Sequence, residues 1–266
     1  MILRIKRILQ LYIMYVSVIV KSTMQYKLSF LLMFIGRFLV SFTGFVSLAF
    51  VFSGFTDIRG YSYSDVLLCF SIVQMSFAFA ECFGSSFKVF SGTIRSGEFD
   101  RMLLRPRSPI MQVIGTRFEL GRLAAIATAI VTLIIGIKES SIDWGTSNVM
   151  TMVFMVLGGT ILFIALFLLE ATFCFFTIED GGILHMLTYG AREHGKYPLD
   201  VYGNRIKNIC TYLVPYTLVQ YYPLQYLLGK TERWYYAFYP FGAFLFLGLC
   251  YVLWLYGVRN YKSTGS

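Results

Sequence analysis

Residues 28–53 read LSFLLMFIGRFLVSFTGFVSLAFVFS, a run in which Arg37 is the one charge. A helix of this length at 1.5 Å per residue exceeds the roughly 30 Å of hydrocarbon in a bilayer, so the stretch reads as a membrane-spanning helix. Working outward, the pattern recurs. Residues 65–84 form a second apolar span ending near Glu81, and a third runs from Ile110 to Ile137. A fourth follows the loop KESSIDWGTSN and reaches Leu169, and Trp234 to Val258 is a last span without a charge. Composition agrees. The 266 residues are 57% hydrophobic and 14% charged, with a mean hydropathy of +0.65, against roughly 25% charged in soluble domains. Too little polar surface exists to coat a water-soluble fold, so lipid must solvate most of the outer face.

The first half of the third span holds Arg117, Glu119 and Arg122, and its uncharged part starts at Leu123. Between Glu170 and Arg233 two readings stand for the fifth span. Hydropathy selects 208–229, which is uncharged but contains Pro215 and Pro223. The rival takes 171–189, despite Glu179, Asp180 and His185, and makes 198–228 a re-entrant hairpin, irregular backbone that protein must cover. Either way six transmembrane helices result. With a cytoplasmic N-terminus, 18 of the 23 Lys and Arg fall on the cytoplasmic side under the hydropathy reading. The four at 192–207 move out under the rival, and the positive-inside bias narrows but keeps its sign. Both termini are therefore expected in the cytoplasm.

Arg4, Lys6 and Arg7 precede an apolar run from Ile8 to Val20, with no small-residue cleavage site after it. About thirteen residues are too short to span, so residues 1–24 read as an uncleaved helix lying in the membrane interface. No repeat appears, and 1–266 reads as a single transmembrane domain. The net charge of +9 belongs to membrane orientation rather than to nucleic acid, for no folded basic domain exists. Cys69, Cys82, Cys174, Cys210 and Cys250 are scattered and form no CxxC pair. His185 and His194, near Glu179, Asp180 and Glu193, lack metal-ligand spacing. GAREHGKY at 190–197 has the spacing of a phosphate-binding loop, but Tyr197 stands where Ser or Thr should hold Mg2+, and no strand precedes it. No catalytic residue and no metal site is expected.

Two sets of residues remain. Ionisable groups inside spans are costly and are functional candidates by default; here these are Arg37, Glu81, Glu119, Arg122 and Glu170. Glu119 and Arg122, three apart, can pair on one helix face. The second set lies in the charged segment 85–109. Read as a helix, Ile94 to Leu104 puts Phe99, Met102 and Leu103 on one face and Glu98, Arg101 and Arg105 on another, with Pro106 and Pro109 stopping it.

The stretch TIRSGEFDRMLLRPRSPIMQVIG resembles the segment between spans two and three of type-2 ABC transporter permeases. YPLDVYG, LVPYTLVQYYPLQYLLG and GVRNYKSTG are similar to one branch of that family. The resemblance implies an all-α permease that binds no cofactor itself. Such a chain would pair with a second permease subunit and with cytoplasmic ABC ATPase subunits that carry ATP and Mg2+, and would export a substrate across the plasma membrane. It implies that Gly97, Glu98, Phe99, Asp100, Arg101, Leu103, Leu104, Arg105 and Pro106 form the coupling helix seated on the ATPase. Residues 1–24 would be the interfacial helix, and 198–228 a re-entrant pair on the outer side. The competing class is a secondary transporter or channel, with Arg37 and Glu119 lining an ion path; a membrane-embedded enzyme is disfavoured by the lack of a convergent catalytic set.

Overall fold

The computed structural model describes residues 2–177 and 182–263, with backbone alone at 2–9, Ile183 and Asn204. Glu179 and Asp180, which weighed against a span at 171–189, lie outside the described residues. The described chain is helical: α1 (Ile2–Met24), α2 (Lys27–Gly54), α3 (Tyr63–Lys88), α4 (Phe90–Arg95), α5 (Glu98–Leu103), α6 (Pro109–Thr116), α7 (Leu123–Glu139), α8 (Thr146–Thr177), α9 (Gly182–Gly195), α10 (Asn204–Tyr212), α11 (Tyr216–Val219), α12 (Tyr221–Leu227) and α13 (Gly242–Asn260). Short 3-10 segments precede α7, α10 and α13. Five stretches among the described residues are long and apolar enough to cross a membrane, namely 27–54, 63–95, 120–139, 146–177 and 234–260. They coincide in outline with the five uncontested spans.

Helix α3 is the axis. Ser62 caps it through a reciprocal pair of bonds with Asp65, which satisfies two of the free N–H groups at its start. Its most apolar window is 89% buried, whereas that of α2, of equal hydropathy, is 6% buried. An apolar helix buried on all sides is a core element, and one exposed on all sides needs lipid or another chain as solvent. α7 and α8 pack on α3, and α13 packs on α8. Close approach is achieved with small residues, as in other membrane bundles. Gly159 meets Ser76, Gly136 meets Leu68, and Gly84 meets Phe167. Hydroxyls join the helices as well: Ser71 Oγ donates to Thr132 Oγ1 at 2.8 Å, and Ser76 Oγ to the Val156 carbonyl at 3.2 Å.

The third expected span is not continuous. α6 ends at Thr116, Arg117 is extended, and a 3-10 turn at Leu120–Arg122 leads into α7. The freed N–H of Glu119 donates to the Cys82 carbonyl of α3 at 3.3 Å, so the break leaves this group satisfied by a neighbouring helix. Nor is 208–229 a single helix. Leu213–Pro215 separate α10 from α11, and Gln220 separates α11 from α12; Pro215 has no N–H to continue the helix through it.

The partners of this broken region change in order along α8. Tyr226 Oη lies 3.0 Å from Ser147 Oγ near the start of α8. Val219 abuts Gly159, and Tyr216 sits against Phe163 with ring centroids 5.9 Å apart. From Ser147 to Phe163 is about 24 Å of helix, so 216–227 runs from the middle of the bundle back to one end. α9 runs antiparallel to α3: Tyr189 lies beside Lys88, Arg192 beside Gln74, and the Cys69 thiol donates to the Gly195 carbonyl at 3.2 Å. Beyond it, Tyr61 Oη donates to Asp200 Oδ2 at 2.9 Å. GAREHGKY is thus helix followed by a turn, not a phosphate loop.

Gly158 tests this packing. A Cβ there would stand 2.6 Å from Pro240 Cβ and 2.7 Å from its carbonyl oxygen. Gly158→Ala should therefore cost about 1–3 kcal/mol, read as a lowered melting temperature of the detergent-purified protein. Gly248→Ala, which meets open space, should leave it unchanged.

Candidate functional site

Four of the five in-span ionisable residues converge in one network. Arg37 of α2 donates from Nη2 to Glu119 Oε1 at 3.0 Å, and Arg122 Nε donates to Glu119 Oε2 at 3.0 Å. Arg122 Nη1 also lies 2.8 Å from Glu81 Oε2, while Lys88 Nζ holds Glu81 Oε1 at 2.6 Å. Arg117 stands 3.8 Å from Glu119, half in solvent. Glu119 and Arg122 pair as their spacing predicts, though across a 3-10 turn. The unwinding at 117–119 brings Glu119 into reach of α2. The Glu81 side chain is only 2% exposed, and burial of an ion is tolerated only when its partners are in place.

Glu170 lies apart from this network. Thr188 Oγ1 donates to its Oε1, and His185 Nδ1 is 3.8 Å from its Oε2. Tyr189 joins the two regions: it accepts from Lys88, its hydroxyl donates to Glu81 at 3.4 Å, and its ring packs on His185 at 4.3 Å. His194 packs on Tyr202 instead. Among the described residues no three His, Cys, Asp or Glu are grouped to hold a metal. Sequence reasoning missed Lys88, Tyr189 and Arg192. Lys88 is seven residues, two turns, from Glu81 on α3, a spacing that could have found it. Arg192 was masked by the doubt over where the fifth span lies.

The 85–109 segment is not the single helix expected from Ile94 to Leu104. Gly97 adopts φ +64°, a left-handed conformation that glycine enters without steric cost, and divides it into α4 and α5. Phe99 and Met102 are buried as expected. Leu103, at the last position of α5, is 39% exposed rather than packed with them. Phe99 sits in an aromatic cluster with Phe90, Phe175 and Tyr261, at centroid distances of 5.2, 5.3 and 5.2 Å. Trp254 closes on Phe175 at 4.9 Å. Ser263 Oγ donates to Asp100 Oδ2 at 2.8 Å, and burial together with the Asp100 carboxylate raises the Tyr261 phenol above its ordinary range. Gln112 Nε2 donates to the carbonyls of Met102 at 2.9 Å and Arg107 at 3.3 Å, pinning the exit. Glu98, Arg101, Leu104, Arg105 and Pro106 stand outward, Leu104 being 86% exposed.

Among the described residues, a helical bundle with five helices long and apolar enough to cross a membrane, with charges paired within it, is the architecture of a multi-pass membrane protein. The sequence matches the ABC-2 family transporter protein profile over residues 38–265, and the chain belongs to that family as a permease of an ABC transporter. Membrane components of this kind generally work with ABC ATPase partners and are generally not catalytic themselves. Comparison with curated proteins and with solved structures found no match.

The network makes a sharp prediction. Glu81→Gln leaves Arg122 and Lys88 facing each other without their shared anion, and should destabilise the protein by about 3–5 kcal/mol. In a double-mutant cycle with Arg122→Gln, the coupling energy from denaturation in mixed micelles should exceed about 1 kcal/mol.

Proposed function

We propose that the chain is one transmembrane half of an ATP-driven exporter of the plasma membrane, with α5 as the coupling helix that receives cytoplasmic ATPase subunits. The observation that carries this is the outward face of Glu98, Arg101, Leu104 and Arg105, held on a helix whose opposite face, Phe99 and Met102, is fully packed. An exposed leucine rimmed by charges, on a closely packed support, is the anatomy of a docking surface. ATP and Mg2+ belong to the partner. Closure of the ATPases would press on α5, and Phe99 would pass the load through Phe175 and Trp254 to the ends of α8 and α13.

The membrane topology that fits is six crossings with both termini cytoplasmic. The fifth would be 182–202 rather than 171–189 or 208–229; its support is the antiparallel run of α9 along α3 from Lys88 to Cys69. Residues 204–228 would be a re-entrant hairpin entering from the outer face, supported by the descent of Tyr226, Val219 and Tyr216 along α8. α1 would lie in the cytoplasmic interface, where it packs on α6 with Ile13, Met14 and Val18 exposed to lipid. The second permease subunit would cover the exposed apolar face of α2, which includes Leu32, Leu39 and Phe50.

Co-isolation tests this. The permease should retain its ATPase through purification, and Glu98→Lys with Leu104→Asp should weaken that association at least about tenfold while the melting temperature stays at the wild-type value. Unchanged association and transport would sink the assignment. Transport by the purified chain alone in liposomes under an ion gradient would favour a secondary transporter instead.

A further inference from the structure

The paired charges leave a surplus. Arg37, Gln74, Glu81, Arg122 and Arg192 line a cleft of about 200 Å3 between α2, α3, α7 and α9, and Phe77 belongs to its apolar wall. At roughly 30 Å3 per water the space would hold several solvent molecules or one headgroup-sized anion. Three arginines and one carboxylate face it, a formal excess of two positive charges. Glu81 has nothing left to offer, since Lys88 and Arg122 occupy its two oxygens at 2.6 and 2.8 Å. Glu119 is likewise shared between Arg37 and Arg122.

Two donors in this setting lack partners. Nη1 of Arg37 and Nε of Arg192 are buried from solvent and make no hydrogen bond. The carboxylate closest to hand for Arg192 Nε, Glu193 Oε1, is 3.8 Å away, beyond hydrogen-bonding range. Arg192 is held in place all the same, by Nη2 donating to Gln74 Oε1 at 3.3 Å and by its guanidinium lying 4.6 Å over the Phe77 ring. A buried guanidinium donor without an acceptor is costly. Two such donors, brought by different helices to the same cleft, mark a place for an anion that the protein does not itself supply.

We propose that this cleft binds a phosphomonoester, gripped between Arg37 of α2 and Arg192 of α9, with the rest of the ligand against the apolar wall. A phosphomonoester carries about −1.5 to −2 charges near neutral pH, which matches the excess lining the site, and guanidinium forks fit its oxygens. That the occupant is transported cargo rests on the permease reading above; the binding itself does not. The group comes either on a membrane lipid or on a soluble ester, and the cleft recognises the chemistry common to both.

The test uses the full-length chain in neutral phosphatidylcholine nanodiscs. Phosphatidic acid is titrated in one arm and inorganic phosphate in the other, with binding read by native mass spectrometry and calorimetry. Saturable binding in either arm is expected, and the arm that binds identifies the source. Arg192→Gln should weaken it at least about tenfold, one charge-assisted hydrogen bond's worth, while Lys138→Gln, away from the cleft, leaves it unchanged. If Arg192→Gln does not fold, Arg192→Lys, which keeps the charge but loses the fork, should weaken binding by roughly threefold or more. No saturable binding in either arm, wild-type affinity in the arginine variants, or equal loss in Lys138→Gln would each overturn the site. Intact anion binding beside failed ATPase co-isolation would remove the coupling reading and leave the site standing; the opposite pattern would remove the site alone.

Discussion

Arg37 stands well inside a helix that is otherwise uncharged from Leu28 to Gly54, and a guanidinium at that depth is met by an anion carried on protein. Much of the architecture follows from meeting it. Glu119 can reach Arg37 only because the third span unwinds between Thr116 and Leu120. The unwinding in turn frees the Glu119 N–H, which the Cys82 carbonyl takes up. Arg122, one turn further on, shares Glu119 and reaches Glu81 on α3, and Glu81 draws in Lys88 and, through Tyr189, α9. One costly charge thereby ties α2, α3, α7 and α9 into a single electrostatic unit, in a solvent where hydrophobic contact alone does not hold helices together.

The opposite strategy operates at the end carrying α5. There the cohesion is aromatic: Phe90, Phe99, Phe175, Trp254 and Tyr261 interlock edge to face, a geometry that adds to simple burial. Such packing is close to incompressible, so on the proposed reading a displacement of α5 would be passed to α8 and α13 instead of being absorbed between them. The polar unit and the aromatic unit meet at the end of α3, where Phe87 packs on Trp254 and the next residue, Lys88, holds Glu81.

The spans bounded by clean hydropathy were legible because length and apolarity alone decide them: 28–53 against Lys27–Gly54, and 65–84 inside Tyr63–Lys88. So were the candidate ions, since cost singles them out before geometry is known. Other features were hidden for physical reasons. The break at 117–119 looks helical by periodicity, and only the demand of Arg37, eighty-two residues away in sequence, explains it. Gly97 was read as part of a helix because a glycine's left-handed backbone cannot be inferred from its neighbours. The helix beside α3, α9, was obscured because Arg192 and His185, which lower its hydropathy, find partners in Phe77, Gln74 and Glu170 from other helices.

The arrangement of shared partners bears on motion. α2 is held to the bundle chiefly by α7 and the turn before it, and its strongest polar bond is the Arg37–Glu119 pair. Glu119 also belongs to Arg122. A shift of α2 away from α7 would therefore strand the arginine but not the carboxylate, which keeps its second cation. An anion lodged between Arg37 and Arg192 would change that balance, since it gives Arg37 an acceptor that is independent of Glu119. On the proposed reading, occupancy of the cleft lowers the electrostatic cost of moving α2 relative to α3 and α7. Ligand binding and loosening of the α2 contact would then be two faces of one equilibrium, set by which oxygen the Arg37 guanidinium holds.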